Sequence, residues 1–334
     1  MEKYRVGIVG ATGMVGQRFI SLLKDHPWFE VNCVAASARS AGKTYREAVG
    51  ERWAFSWEIP EKVAGMTVVD AADIDEVSKH VDFVFCAVDM KKDEIRALEE
   101  AYAKHEIPVV SNNSACRGIE DVPMVVPEIN ADHLAVIEAQ KKRLGTKNGF
   151  IAVKPNCSIQ SYVPALTPLL DFEPEKVSVC TYQAISGAGK TFKTWPEMVD
   201  NVIPYIGGED EKSENEPLKL WGHVEDGKIV NAALPVISAQ CLRVACSDGH
   251  MAAVSVSFKK KPTIEQIKER WANYETEAQR LELPSAPKPF LQYFEDPSRP
   301  QTRLDRDFQN GFGVSIGRLR EDTQYDYKFV CLSH

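Results

Sequence analysis

Several things are scarce in this 334-residue sequence, and each shortage narrows what the chain can do. No C-x-x-C pair occurs among its eight cysteines, Cys33, Cys86, Cys116, Cys157, Cys180, Cys241, Cys246 and Cys331, so the usual spacing of a zinc site or a redox dithiol is missing. The cysteines are scattered, several inside apolar runs such as Val84-Phe85-Cys86-Ala87-Val88, and most of them read as buried free thiols in a cytoplasmic protein. Positive charge is not in excess: 40 Lys and Arg against 48 Asp and Glu leave a formal net charge of -8, with no footprint for nucleic acid or an anionic membrane. Long apolar runs are absent. The start, Met1-Glu2-Lys3-Tyr4-Arg5, lacks the apolar core of a signal peptide. There is no internal repeat and no low-complexity tract. What is present is an ordinary globular composition with 44% apolar residues, in a chain too long for one ordinary core, so two domains are the default.

Along the chain, Tyr4 to Val9, Val31 to Ala36, Val81 to Val88 and Ile107 to Val110 are short apolar runs. Helical patterns at Gln17 to Lys24 and Lys91 to His105 separate them. That alternation predicts a doubly wound parallel sheet, an α/β domain of Rossmann type over residues 1–156. The second half, 157–334, reads as α+β with a mostly antiparallel sheet. Its strands are predicted at Lys176 to Ala184, Val230 to Ile237, Ala252 to Phe258 and Tyr327 to Leu332, and its helices at Ile159 to Leu170 and Ile264 to Leu281. The proline-rich stretch Leu283 to Arg303 is predicted as a loop or extended arm.

Gly10-Ala11-Thr12-Gly13-Met14-Val15-Gly16 follows the first predicted strand and opens the first predicted helix. Glycines there permit a tight turn and close approach of the backbone to a pyrophosphate, and the helix start supplies amide donors. The pattern is G-x-x-G-x-x-G, so its context carries the dinucleotide reading more than its spacing does. The second strand runs into Ser37-Ala38-Arg39-Ser40, with no acidic residue for ribose hydroxyls. Arg39 between Ser37 and Ser40 suits a 2′-phosphate, which points to NADP. Ser186-Gly187-Ala188-Gly189-Lys190-Thr191 imitates the end of a triphosphate-binding loop, but Ala184 stands where its first glycine belongs. This second glycine loop is better read as approaching the nicotinamide of the same cofactor.

Pro155-Asn156-Cys157-Ser158 lies where a strand gives way to a helix. A cysteine at a helix start has a lowered pKa and is the better nucleophile, although a buried structural cysteine is an equal reading of the spacing alone. Downstream, Gln183 closes a predicted strand, Arg243 offers a planar fork for a carboxylate, and His250, after Gly249, offers an imidazole that can act as acid or base.

These residues resemble a family. Gly10-Ala11-Thr12-Gly13, Ser37-Ala38-Arg39-Ser40, Ser111-Asn112-Asn113-Ser114, Val125-Val126-Pro127-Glu128-Ile129-Asn130, Pro155-Asn156-Cys157-Ser158, Ala184-Ile185-Ser186-Gly187-Ala188-Gly189 and Asn201-Val202-Ile203-Pro204-Tyr205-Ile206 together are similar to the aspartate-semialdehyde dehydrogenases of the archaeal and fungal branch. The resemblance runs over nearly the whole chain. It implies Cys157 as a nucleophile forming an acyl thioester, His250 as the acid/base residue and Gln183 as a positioner of the acyl group. It further implies Arg243 on the substrate α-carboxylate, Glu216 on its amine, Lys219 with Arg117 on its phosphate, and Asn156 beside them. NADP would be held by Gly10, Thr12, Gly13, Met14, Val15, Ser37, Arg39, Ser40, Ala87, Ser186 and Gly187, with no metal. The second domain would also build a homodimer or homotetramer. The chain ends at Cys331-Leu332-Ser333-His334, directly after a predicted strand, so the Asn-Thr segment and final helix that the family returns to its cofactor domain are expected to be absent.

Rival readings are a malonyl-CoA reductase of the same branch, a glutamyl-phosphate-type reductase, and a non-catalytic dinucleotide-binding regulator. The cysteine motif disfavours the second. A binding module needs none of Cys157, Gln183, Arg243 and His250, which disfavours the third.

Overall fold

The structure is a computed structural model describing residues 2–334. Two compact units emerge: one holds the chain up to Val125 with Asp132–Lys154 and Val224–Ile229, the other Val126–Ala131, Pro155–His223 and Val230–His334.

The first unit is built on six strands: β1 (Tyr4–Val9), β2 (Phe29–Ala36), β3 (Val69–Asp70), β4 (Phe83–Cys86), β5 (Val109–Ser111) and β6 (Ile151–Val153). Their order is β3-β2-β1-β4-β5-β6, and every neighbour runs parallel. Val6, Ile8 and Val9 of the central β1 are fully buried, because helices on both faces leave such a strand no wet side. Helix α1 (Met14–Leu23) buries Ile20 and Leu23, and α2 (Lys92–Lys104) buries Ile95, Tyr102 and Ala103. The strand order reverses between β1 and β4, the crevice at which doubly wound sheets bind ligands.

The second unit carries a seven-stranded sheet in the order β13-β14-β15-β12-β7-β11-β8. Its strands are β7 (Pro174–Gln183), β8 (Val202–Ile203), β11 (Val236–Val244), β12 (His250–Phe258), β13 (Leu291–Phe294), β14 (Val314–Glu321) and β15 (Tyr327–Ser333). A separate hairpin, β9 (His223–Glu225) and β10 (Lys228–Val230), whose residues Val224–Ile229 belong to the first unit, turns at Asp226-Gly227, both with positive φ. Four of the six pairings in the large sheet are antiparallel; β13 with β14 and β7 with β11 are parallel. Helix α3 (Ile159–Leu166) buries Ile159, Tyr162, Val163, Ala165 and Leu166 completely, as a helix apolar on all sides must. Helices α4 (Glu209–Leu220) and α5 (Ile264–Ala272) complete the frame, and the indole of Trp271 donates to the Ala165 carbonyl at 2.8 Å. No helix of the described residues is long and apolar enough to cross a membrane.

The doubly wound sheet and the mainly antiparallel second sheet match the sequence expectation; several boundaries do not. The helix expected to Leu170 stops at Leu166 and continues as a 3-10 turn, because Pro168 has no N–H to extend the α ladder. The helix expected to Leu281 ends at Ala272, and a new turn, Glu277–Arg280, starts at the Thr276–Gln279 capping box. The strand expected at Val230 to Ile237 is two strand ends, β10 and β11, around an irregular stretch containing Pro235. Leu283 to Arg303 is not all loop: its residues 291–294 form β13, an edge strand short enough to sit between Pro289 and Pro297.

Candidate functional site

In the first unit β1 runs straight into the glycine loop. Gly10 has φ +89°, and a Cβ there would lie 2.2 Å from the Ala87 carbonyl oxygen. A Cβ on Gly16 would lie 2.3 Å from the Gly10 carbonyl oxygen. Both glycines let β1, β4 and α1 close on one another. Gly13 is the N-cap of α1 and makes no side-chain cap, and the first turn holds no acidic residue. That helix start therefore offers amide donors without competing negative charge. Ala87 is tied to the loop region by its amide on the Val9 carbonyl, at 2.8 Å. At the end of β2, Ser40 is buried and donates its amide to the Ser37 carbonyl at 2.8 Å, while Ser37 and Arg39 are exposed. Arg117 donates to the Asn112 carbonyl at 3.2 Å.

The second unit gathers a denser set. Cys157 is half-buried, one residue before Ser158, the N-cap of α3. Its Sγ lies 3.2 Å from His250 Nε2. His250 opens β12 and is 5% exposed. The other ring nitrogen, Nδ1, accepts the Ala184 amide at 3.0 Å. Arg243, 6% exposed on β11, pairs in register with Gln183 at the end of β7 and donates Nη1 to the Ala184 carbonyl at 2.6 Å. Burial draws the Arg243 guanidinium below its ordinary pKa, against the opposing pull of Cys157 and Glu209. Glu209, at the start of α4 and 7% exposed, accepts from the side-chain amides of Asn156 at 3.0 Å and Gln183 at 3.2 Å. Burial pushes its carboxyl up, but Lys212 at 2.7 Å and the two amides outweigh that and hold it below the usual range. Five buried polar side chains, Asn156, Gln183, Glu209, Arg243 and His250, are thus tied together by hydrogen bonds and strand register, and His250 touches the thiol.

Helix α4 stays in place through the edge of β11. Its Asp210 accepts the Cys241 amide at 2.8 Å and its Glu214 the Ala239 amide at 3.1 Å, so carboxylates one turn apart satisfy a strand edge that β8 leaves open. The stretch is therefore a docked helix, not a solvated charge run.

Residues 5–137 match the family of semialdehyde dehydrogenase NAD-binding domains, and residues 166–334 that of semialdehyde dehydrogenase dimerisation domains. The aspartate-semialdehyde dehydrogenase of Schizosaccharomyces pombe is 44% identical over 99% of this chain and 92% of its own length. That of Archaeoglobus fulgidus is 42% identical over 99% of this chain and 93% of its own. The crystal structure of the Candida albicans aspartate-semialdehyde dehydrogenase with NADP is 37% identical, with a TM-score of 0.89 over 100% of this chain and 94% of that one. The chain belongs to the aspartate-semialdehyde dehydrogenase family. The Vibrio cholerae aspartate-semialdehyde dehydrogenase II with ASA, 23% identical over 100% of this chain and 93% of that one at a TM-score of 0.74, shares the fold.

Against the family pattern, the structure brings together Cys157, Gln183, Arg243 and His250. It places Glu216 differently from the sequence reading: the Glu216 carboxylate accepts the main-chain amide of Asn156 at 2.6 Å, and the carboxylate on the Asn156 and Gln183 side chains is Glu209. The two are confusable for a physical reason. Glu209…Lys212 and Glu216…Lys219 have the same i, i+3 spacing, and seven residues are two helical turns, so both pairs sit on one face of α4. Lys219 is buried, whereas Lys212 is half-buried beside Glu209. Asn156, read from sequence as a substrate residue, has its side chain committed within the protein: Oδ1 accepts the Ser158 amide at 2.9 Å and hydroxyl at 2.7 Å, and Nδ2 is on Glu209. It shapes the turn that presents Cys157. Ser186 and Gly187 lie in the 3-10 turn Ile185–Ala188, where Gly187 packs on His250 and Arg243.

Proposed function

We propose that this enzyme reduces L-aspartyl 4-phosphate to L-aspartate 4-semialdehyde with NADPH, through a thioester on Cys157, in the biosynthesis of lysine, threonine, methionine and isoleucine. It would act in the cytoplasm as a homodimer or homotetramer, assembled through its dimerisation domain. The observation that carries the chemistry is the Cys157 Sγ, 3.2 Å from His250 Nε2 at the start of α3, with Arg243 and the His250 ring held on the same Ala184 peptide.

The helix start and the imidazole favour the thiolate. The thiolate attacks the acyl carbon, the C–O bond to phosphate breaks, and the thioester remains, so one difficult substitution becomes two easier steps. NADPH supplies the hydride that reduces this thioester. His250 holds the proton at the reacting sulfur and oxygen. When the C–S bond breaks, the aldehyde leaves and the thiolate is restored. Arg243 binds the α-carboxylate. We assign the ammonium to Glu209 in place of Glu216, and the same seven-residue shift moves the phosphate lysine from Lys219 to Lys212, with Arg117 as its companion. Gly10, Gly13 and Gly16 make the cradle that fits a pyrophosphate, with Thr12, Met14, Val15 and Ala87 around it. Ser37, Arg39 and Ser40 suit the 2′-phosphate, and Ser186 with Gly187 the nicotinamide end.

The test is the reverse reaction: aspartate semialdehyde, NADP and phosphate together should give NADPH, and leaving out phosphate should stop turnover. Mass spectrometry of protein incubated with acyl phosphate alone should show an adduct on Cys157. NADPH formation independent of phosphate, or no adduct, would overturn the reading.

A further inference from the structure

Two buried side chains grip the glycine loop by its carbonyls. Tyr45 is fully buried and Gln17 is 1% exposed. The Tyr45 hydroxyl donates to the Ala11 carbonyl at 2.8 Å. Gln17 Nε2 donates to the Thr12 carbonyl at 3.0 Å and to the Arg52 carbonyl at 3.1 Å, and its Oε1 accepts the Ala54 amide at 2.8 Å. The Gly10 carbonyl accepts the Gly13 amide at 3.2 Å. Three consecutive carbonyls, those of Gly10, Ala11 and Thr12, are thus taken up within the protein. The grip is itself fixed. Tyr45 opens the short helix Tyr45–Val49, which the Thr44–Glu47 capping box starts, and its amide donates to the Met66 carbonyl at 2.8 Å. The Gln17 amide donates to the Gly13 carbonyl at 2.9 Å.

The direction of these bonds decides what the loop offers a ligand. A trans peptide sets its C=O and N–H antiparallel. With the Ala11 oxygen on Tyr45, the Thr12 N–H points away from Tyr45. The Gly10 and Ala11 amides both go to the Ala35 carbonyl, at 2.9 and 3.0 Å, so those donors are spent on β2. What the loop can present to an anion is the Thr12 amide with the first-turn amides of α1, on a stretch where Gly13 and Val15 are exposed. A peptide released by either side chain could turn over and put a carbonyl oxygen where an amide is needed, which replaces attraction for an anion by repulsion.

We propose that Tyr45 and Gln17 are positioning residues for the cofactor: they hold the Ala11 and Thr12 carbonyls inward, so that the glycine loop meets a pyrophosphate with amides alone. The proposal rests on the reading of this loop as the pyrophosphate cradle and deepens it. Both side chains are committed to main-chain groups and act through the loop they hold.

The experiment is calorimetric titration of the full chain with NADP, NAD and adenosine 2′-monophosphate, which carries the 2′-phosphate and no pyrophosphate. Tyr45→Phe removes one hydroxyl and leaves the ring. It should weaken NADP and NAD by the same factor, roughly five-fold, and leave the 2′-monophosphate unchanged. Gln17→Met, similar in shape but unable to donate, should give the same pattern with a larger loss, roughly ten-fold, because it frees the Arg52–Ala54 segment as well. Unchanged NADP affinity in both variants overturns the proposal, and so does an equal loss for the 2′-monophosphate, which would mean general damage to the unit. A merely unstable variant would bind fewer equivalents at an unchanged Kd, and that result also overturns it. Failure of the cradle reading looks different: the wild type itself would then hold NADP no tighter than the 2′-monophosphate, whatever the variants do.

Discussion

The cofactor loop and the thiol site are built from different materials. In the first unit the loop is made of main chain: Gly10 and Gly16 leave no room for a side chain, Gly13 opens a helix, and Arg39, proposed to read the 2′-phosphate, is exposed. In the second unit the site is made of side chains: Asn156, Gln183, Glu209, Arg243 and His250 are all at most 7% exposed and hydrogen-bonded within the protein. The first kind of site tolerates changes in the side chains that the loop itself carries and breaks on an added methyl. The second kind breaks when any one member is cut, because its buried partners lose their bonds at full desolvation cost.

The sharpest separation comes from Cys157→Ala. Turnover should fall by at least roughly 10⁴-fold, since the nucleophile itself is removed, while NADP affinity and Tm stay near those of the wild type. Measuring all three on one preparation checks it. Residual turnover in a folded variant would remove the thioester, and a lost NADP affinity would mean that the two materials are not independent.

Next comes Arg243→Ala, which leaves the Ala184 carbonyl and, on the proposed reading, the substrate carboxylate without their donor. A buried charge pair broken from one side costs roughly 2–5 kcal/mol, or about 30- to 5,000-fold in kcat/KM for the semialdehyde. The wild type should also reject malonyl-CoA. That substrate has no amine, and the buried Glu209 carboxylate, held ionised by Lys212, Asn156 and Gln183, would face the malonyl carboxylate. Assaying both substrates in parallel decides the point; comparable kcat/KM values would return the chain to the malonyl-CoA reading.

Glu209 and Glu216 then separate a substrate contact from a scaffold contact. Glu209→Gln removes a charge from the site and should cost roughly 10- to 100-fold in kcat/KM, mainly through KM. Glu216→Gln keeps an oxygen for the Asn156 amide, so its effect should stay within about three-fold. The reverse ranking would restore Glu216 as the amine partner. Because Glu209 is held below the ordinary carboxyl range, it stays charged above that range and loses its proton-free form only below it. An acid limb near neutrality in kcat/KM would therefore belong to another group.

Legibility followed the same division. The glycine loop, the parallel order and the NADP-type end of β2 are local patterns, and residues 4–9 were readable as a strand to the residue. Cys157, Gln183, Arg243 and His250 were readable only together, through family spacing, because no local pattern links residues up to 93 apart. The choice between Glu209 and Glu216 was out of reach because periodicity cannot tell one helical turn from another two turns on.

The smallest expected effect belongs to Arg39, and the main-chain character of the cofactor site is the reason. Pyrophosphate binding by loop amides is common to NAD and NADP, so losing one side chain cannot remove it. On the proposed reading Arg39 bears only on the difference between them, the 2′-phosphate, and does so from an exposed position where solvent and salt weaken each contact. The Ser40 amide on the Ser37 carbonyl holds the turn that carries it, and this bond does not depend on the guanidinium. Arg39→Ala should therefore weaken NADP by roughly five- to thirty-fold and leave NAD affinity unchanged. The gap should narrow as ionic strength rises, since the lost contact is electrostatic. Titrating both cofactors into wild type and variant at low and high salt measures the gap directly. Equal losses for NAD and NADP would mean that Arg39 supports the loop and does not read the phosphate, and the contrast between a main-chain site and a side-chain discriminator would fail in the unit where it is drawn most simply.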